Sequence, residues 1–261
     1  MYQFCTLYSG SSGNATFIGD ETGGILVDIG KNAKQTTLAL QEIGIAPEQI
    51  HAIFITHEHS DHIAGLNVFC KRHKTPVYAS LGTLEALDDA GKLAGGFPVF
   101  QIQDYADIGD YHVSCFHISH DCAEGLGYSI VLPGGVKVST ATDTGYVTPE
   151  VEESLLGSKV VLLESNHDIA MLENGPYPYP LKRRILGECG HLSNDAAADM
   201  ACKLIDSGTE QILLGHLSKE NNLPELAYQT SLASLLGMGA KEGADFRLGV
   251  AGRATVSRLE V

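Results

Sequence analysis

Short apolar runs separated by glycine-rich and polar turns fill the first part of the chain. Residues 4–8, 15–18 and 24–28 read as three strands. The turn Ser9-Gly10-Ser11-Ser12-Gly13-Asn14 separates the first two, and Asp20-Glu21-Thr22-Gly23-Gly24 separates the next. The period then becomes helical: residues 32–43 place Leu38, Leu40 and Ile43 on one apolar side. Ala52-Ile53-Phe54-Ile55 reads as a buried strand, and residues 63–73 as a helix. Beyond it the pattern predicts a strand at 77–79, a helix at 81–87, a loop at 91–96 and an alternating strand at 111–118. A hairpin through Pro133-Gly134-Gly135 joins 128–132 to 136–141. Residues 160–163 are wholly apolar, as a core strand requires. A helix starting with Ser193 or Asn194 as its cap carries Ala197, Met200, Ala201 and Leu204 on one side. A last core strand at 212–214, a helix at 223–236 and edge strands at 246–250 and 254–259 complete the chain. Strands and helices thus alternate along the chain. No repeat, linker or break in composition interrupts residues 1–261, which predicts one domain.

Composition narrows the class without changing it. The length of 261 residues is enough to bury a substantial core. Hydrophobic content of 44% and charged content of 19% are ordinary for a globular protein. No apolar run approaches the ~20 residues of a membrane span. Met1-Tyr2-Gln3-Phe4-Cys5 lacks the basic segment and apolar core of a signal peptide. The six cysteines (5, 70, 115, 122, 189 and 202) form no Cys-x-x-Cys pair, so we expect reduced thiols in a cytoplasmic protein. The net charge of -15 argues against a broad, non-specific polyanion-binding surface. Bound divalent ions would reverse the sign locally, so nucleic acid is not excluded. Basic residues cluster at Lys71-Arg72-His73-Lys74, which reads as a solvated helix face, and at Lys182-Arg183-Arg184.

The densest chemistry lies in Thr56-His57-Glu58-His59-Ser60-Asp61-His62, directly after a strand. A helix would scatter these ligand-type side chains around its circumference. A strand end turning through a loop can aim them at neighbouring points. Imidazole and carboxylate together suit zinc, iron or manganese.

His-x-His-x-Asp-His after a strand resembles the signature of the metallo-β-lactamase superfamily. The resemblance implies a four-layer αβ/βα sandwich with a metal site at its edge. It assigns Asp28, ending Ile25-Leu26-Val27-Asp28, to supporting a metal-binding loop by hydrogen bonding. His120, at the end of a strand, fits the next histidine ligand better than His117. Asp143, in Thr140-Ala141-Thr142-Asp143-Thr144-Gly145, falls where the superfamily has its metal-bridging carboxylate. His216, in Gly215-His216-Leu217-Ser218, is placed as the final ligand. The implied set is His57, His59 and His120 for one ion, Asp61, His62 and His216 for the second, and Asp143 between them. A hydroxide held by two such ions is the expected nucleophile.

Glu164 and the stretch Gly190-His191-Leu192-Ser193-Asn194 resemble a further pair, found in the tRNase Z branch. There a strand-end glutamate and a histidine assist protonation of the leaving oxygen. Asp61, Glu164 and His191 are accordingly the expected catalytic residues. Across nearly the whole chain the motifs look like those of the YycJ group, also called WalJ or VicX. That resemblance implies a phosphodiesterase, specifically a 5′-to-3′ DNA exonuclease, with Lys182, Arg183 and Arg184 helping to attract DNA. His167 would lie close to the site, as a substrate contact or a structural residue. A thioester or lactone hydrolase of the glyoxalase II kind shares all seven ligands and is the rival reading. It needs no Glu164–His191 pair, because a thiolate leaves without protonation.

Overall fold

Fourteen strands frame the structure. In chain order they are β1 (Gln3–Tyr8), β2 (Ala15–Asp20), β3 (Gly23–Val27), β4 (Ile50–Phe54), β5 (Val77–Ala79), β6 (Val99–Gln101) and β7 (Tyr105–Ile108). Then follow β8 (Tyr111–His117), β9 (Leu126–Val131), β10 (Lys137–Ala141), β11 (Val160–Glu164), β12 (Gln211–Gly215), β13 (Arg247–Val250) and β14 (Ser257–Glu260). The computed structural model describes residues 1–261. Contacts divide them into two compact units. The first is Met1–Cys115 with Cys122–Leu126 and Gly252–Val261; the second is Phe116–Asp121 with Gly127–Ala251.

The first unit holds a sheet in the order β14-β1-β2-β3-β4-β5-β6. Its β3 and β4 run parallel, with Val27 opposite Phe54. Both strands therefore end at the same edge, where Asp28 and the histidine-rich stretch begin. Phe17, Leu26, Ile53 and Phe69 are fully buried in the core of this unit, and each such side chain contributes about 1.5–3 kcal/mol. Helix Ala33–Glu42 is capped by Asn32 and buries Ala39 and Leu40. Leu38, expected on its apolar side, is 54% exposed. The helix expected over 63–73 is two pieces, Ser60–Ile63 and Leu66–His73. Gly65 lies at the break, where a Cβ would meet the Lys31 carbonyl oxygen at 2.4 Å.

In the second unit β9 to β13 lie in the order β13-β12-β11-β10-β9. Here β10, β11 and β12 are parallel and in register, Ala141 opposite Leu163 and Leu163 opposite Leu214. Each strand is almost wholly buried, so a continuous apolar run is what it needs. The register brings Asp143, Glu164 and His216 to one edge within two residues of those paired positions. Helix Asn194–Asp206 covers the sheet with Ala197, Met200, Ala201 and Leu204, and Ser193 caps it by accepting from Ala196 N–H.

Four non-glycine residues have positive φ, and three of them are Asp28 (62°), Asp143 (60°) and His216 (54°). Each follows the carboxyl end of a strand. A left-handed turn there costs energy and persists only where the surroundings impose it. Four elements were not predicted: the strands β6 and β7, whose residues are exposed or half-buried, and helices Pro149–Leu155 and Ile169–Asn174, which bury two residues and one. All six cysteines are free. No helix is long and apolar enough to cross a membrane.

Candidate metal centre

In the first unit a buried carboxylate organises the histidine-rich stretch. Asp28 Oδ1 accepts the Thr56 backbone N–H at 2.8 Å, and Oδ2 accepts Thr56 Oγ1–H at 2.9 Å. Asp28 Oδ2 also lies 2.7 Å from His62 Nδ1. An ionised Asp28 can only accept, so Nδ1 carries the proton and Nε2 keeps its lone pair. Burial pushes the Asp28 carboxyl upward, and the neighbouring His62 opposes that shift. His57 and His62 are both fully buried, their ring centroids 4.1 Å apart, and His59 stands 4.6 Å from His57. Asn14, at the end of the Gly/Ser turn, donates its backbone N–H to the Asp61 carbonyl at 2.8 Å. Its side-chain nitrogen lies 3.1 Å from His62 Nε2 and 3.5 Å from Asp61 Oδ2. Gly30 makes this approach possible: a Cβ there would fall 1.7 Å from the Asp61 carbonyl oxygen.

In the second unit Glu164 has the corresponding position. It is fully buried, and Oε1 lies 2.9 Å from both His191 Nδ1 and His216 Nδ1. Oε2 accepts the N–H groups of Thr144 at 2.8 Å and Leu192 at 3.2 Å. Burial alone would raise this carboxyl, but His191 and His216 outweigh it and hold it well below the usual carboxylate range. On His191 burial favours the neutral ring, and the Glu164 charge overrides it, so its pKa is raised. Asp143 Oδ1 lies 3.4 Å from His216 Nδ1, 3.7 Å from His191 Nδ1 and 3.9 Å from His120 Nε2. Ligand-type atoms of Asp143, Glu164, His191 and His216 all fall within 4.8 Å of one another.

His120 is buried with Nδ1 3.1 Å from the Gly190 carbonyl, and its Nε2 lies 3.5 Å from Asp121 Oδ1. Burial lowers its pKa against the pull of Asp143. Gly190 tolerates no side chain, since a Cβ would meet the Ile185 carbonyl at 2.1 Å. His117 points elsewhere: its ring is 59% exposed and Nδ1 lies 3.4 Å from Glu150. His167 is 1% exposed, and neither of its ring nitrogens has a hydrogen-bond partner. Burial holds its pKa down at about 4, against the pull of Glu164.

The donor chemistry fits divalent ions. His62, His120 and His216 each tie Nδ1 to an acceptor, Asp28, the Gly190 carbonyl and Glu164 respectively. Anchoring one nitrogen fixes the tautomer and presents the other, the usual arrangement of a metal-binding histidine. The sequence reading assigned no role to Thr56 or Thr144. Thr56 is a hub whose Oγ1 also lies 3.0 Å from His57 Nδ1, and a hydroxyl inside a motif gives no periodic signal. The basic run 182–184 is largely engaged: Arg184 pairs with Asp121, and Lys182 Nζ donates to the Glu173 carbonyl at 2.8 Å.

Residues 24–217 match the family model of the beta-lactamase superfamily domain. A Bacillus anthracis protein named exodeoxyribonuclease YycJ is 38% identical over 229 residues, covering 86% of this chain and 85% of that protein. Exodeoxyribonuclease WalJ of Streptococcus pneumoniae serotype 2 is 36% identical over 251 residues, covering 95% and 93%. Among solved structures, the metallo-β-lactamase fold protein YhfI of Bacillus subtilis aligns with a TM-score of 0.73 at 15% identity, over 99% of this chain and 100% of that one.

Proposed function

The chain belongs to the β-lactamase superfamily, with the α/β metallo-β-lactamase fold, and from that premise we propose that it is a metal-dependent nuclease. The specific reading is a 5′-to-3′ DNA exonuclease that works as one catalytic domain in the cytoplasm. Its support is the naming of two relatives that are 36% and 38% identical over most of their length. The observation that carries it is the buried Glu164 holding His191 at 2.9 Å, with Asp143 3.7 Å from the same nitrogen.

We assign His57, His59 and His120 to one divalent ion and Asp61, His62 and His216 to a second, with Asp143 serving both. Zinc or manganese suits these donors, and iron is compatible with them. When bound, such ions acidify a water and neutralise charge growing on a phosphoryl oxygen. The remaining chemistry belongs to the protein. Asp28 and Glu164 keep the imidazoles in the required tautomers. In this reading Asp61 takes up a proton of the attacking water. His191, its pKa raised by Glu164 against burial, donates a proton to the departing 3′ oxygen, which as an alkoxide leaves poorly without one.

The test is turnover of 5′-labelled single- and double-stranded DNA and RNA by metal-reconstituted protein, with S-lactoylglutathione and a lactone in parallel. Metal-dependent release of nucleotides from the 5′ end, lost in Asp143→Ala, is the expected result. Turnover of the thioester or lactone alone would overturn the assignment.

A further inference from the structure

The Gly/Ser turn and Lys31 form a feature that the metal chemistry does not use. Gly13 has φ 148°, and a Cβ there would strike Lys31 Cδ at 2.7 Å and the Gly30 carbonyl at 2.8 Å. The lysine stem therefore lies across the bare backbone of the turn, and its ammonium sits 5.7 Å from the centre of the Tyr8 ring. Tyr8 is fixed in turn by donating its hydroxyl to the Gln35 carbonyl at 2.9 Å. The result is a half-buried cation held by packing and an aromatic face.

Its fixed position is the telling feature. Lys159, Lys203 and Arg184 are paired with Glu210, Glu152 and Asp121, and most other basic side chains have no acidic partner, but Lys31 is held by packing on Gly13 and by the Tyr8 ring. Lys31 has no ion pair. It is nevertheless tied to the ligand-bearing stretch by backbone contacts: Gly30 N–H donates to the Asn14 carbonyl at 2.7 Å, and Asn14 N–H to the Asp61 carbonyl at 2.8 Å. The exposed Ser11 and Ser12 sit at the tip of the same turn. A fixed, unneutralised cation packed against a turn that carries two exposed serines suits an anion with several acceptor oxygens.

We propose that Lys31, with the Ser11-Ser12 turn, binds a non-scissile phosphate of the substrate strand and seats the chain for cleavage. The proposal rests on the nuclease reading and adds a specific strand contact to it. A neutral substrate such as a lactone has no use for this cation.

Salt dependence isolates the contact. Lys31→Met keeps the stem packed on Gly13 and removes the charge, whereas Lys31→Arg keeps the charge. kcat/KM for a 5′-labelled single-stranded oligodeoxynucleotide is measured with the metal-reconstituted full chain across a series of KCl concentrations. Lys31→Met should lower kcat/KM about tenfold at low salt, the size of one charge-assisted hydrogen bond. It should also flatten the log–log salt slope by about 0.7, the value of one phosphate contact on a single strand. Lys31→Arg should retain the original slope. An unchanged slope in Lys31→Met would overturn this proposal alone, even with a slower rate, because the loss would then come from packing. Absence of metal-dependent DNA hydrolysis by the unaltered protein would overturn the nuclease reading and this proposal with it.

Discussion

Glu164 Oε1 holds His216 Nδ1 at 2.9 Å, and the same oxygen holds His191 Nδ1 at the same distance. One buried carboxylate thus orients both a histidine assigned to metal and the histidine assigned to proton donation. Asp28 plays the corresponding part for His62 in the first unit. Each carboxylate also accepts backbone N–H from a neighbouring loop, so side-chain orientation and loop conformation are set together.

Replacing Glu164 by glutamine tests that coupling. The neutral amide removes the charge that holds both imidazoles, and in one of its orientations it turns an N–H toward their Nδ1–H groups. Divalent-metal affinity and DNA hydrolysis should both fall, each by about 10- to 100-fold as for other groups that orient a metal ligand. Metal competition against a chelator and a nuclease assay measure the two losses. Full metal affinity in the variant would show that Glu164 serves His191 alone.

Asp28→Asn should act on metal binding more selectively. The amide keeps one acceptor oxygen where Asp28 offers separate ones to Thr56 N–H and His62 Nδ1, so with that oxygen on Thr56 an N–H faces His62; the Glu164–His191 pair stays intact, and a loss of about 10- to 100-fold in metal affinity is expected. Excess metal should then restore much of the activity. A variant that saturation with metal does not rescue would assign Asp28 another role.

His191→Ala should be sensitive to the leaving group. Removing a general acid costs about 10²- to 10⁴-fold where the leaving oxygen needs a proton. DNA is such a substrate. Bis-p-nitrophenyl phosphate is not, because nitrophenolate departs unprotonated. Equal losses on both substrates would rule out proton donation by His191.

His167 should make stability depend on acid pH. Its folded pKa is about 4 against an ordinary 6.5, so between those values the unfolded chain binds a proton that the folded chain refuses. Stability is complete above about pH 6.5 and falls as pH drops toward 4, by up to about 3 kcal/mol for this one group. Denaturant unfolding of His167→Phe should show a shallower decline over that window than the unaltered protein. Identical pH profiles would mean that the imidazole is hydrated in the folded state.

Much of this was legible along the chain, for local reasons. The apolar runs 52–55, 160–163 and 212–214 belong to buried parallel strands, whose residues need no polar alternation. Of the two candidate caps, Ser193 and Asn194, Ser193 caps the helix. The density of histidines after β4 pointed to metal chemistry before any geometry was considered. Leu38 misled because a helical period reports spacing but not how wide the covered stripe is. The strands Val99–Gln101 and Tyr105–Ile108 escaped because their residues are exposed or half-buried and need not form the continuous apolar run that marks a core strand.

What the sequence determined by itself was therefore the alternation of strands and helices, the principal core elements and the inventory of groups capable of metal and proton chemistry. These depend on residue type and near-neighbour spacing. Tertiary structure alone decided that Glu164, His191 and His216 share one oxygen, although 52 positions separate Glu164 from His216. It also decided that Asp28 takes the proton-bearing nitrogen of His62, and that Lys31 lies unpaired across Gly13. Such relationships come from strand register, positive-φ turns and backbone approaches that only glycine permits. Their partners are distant in sequence, and no local pattern records which atoms will face each other.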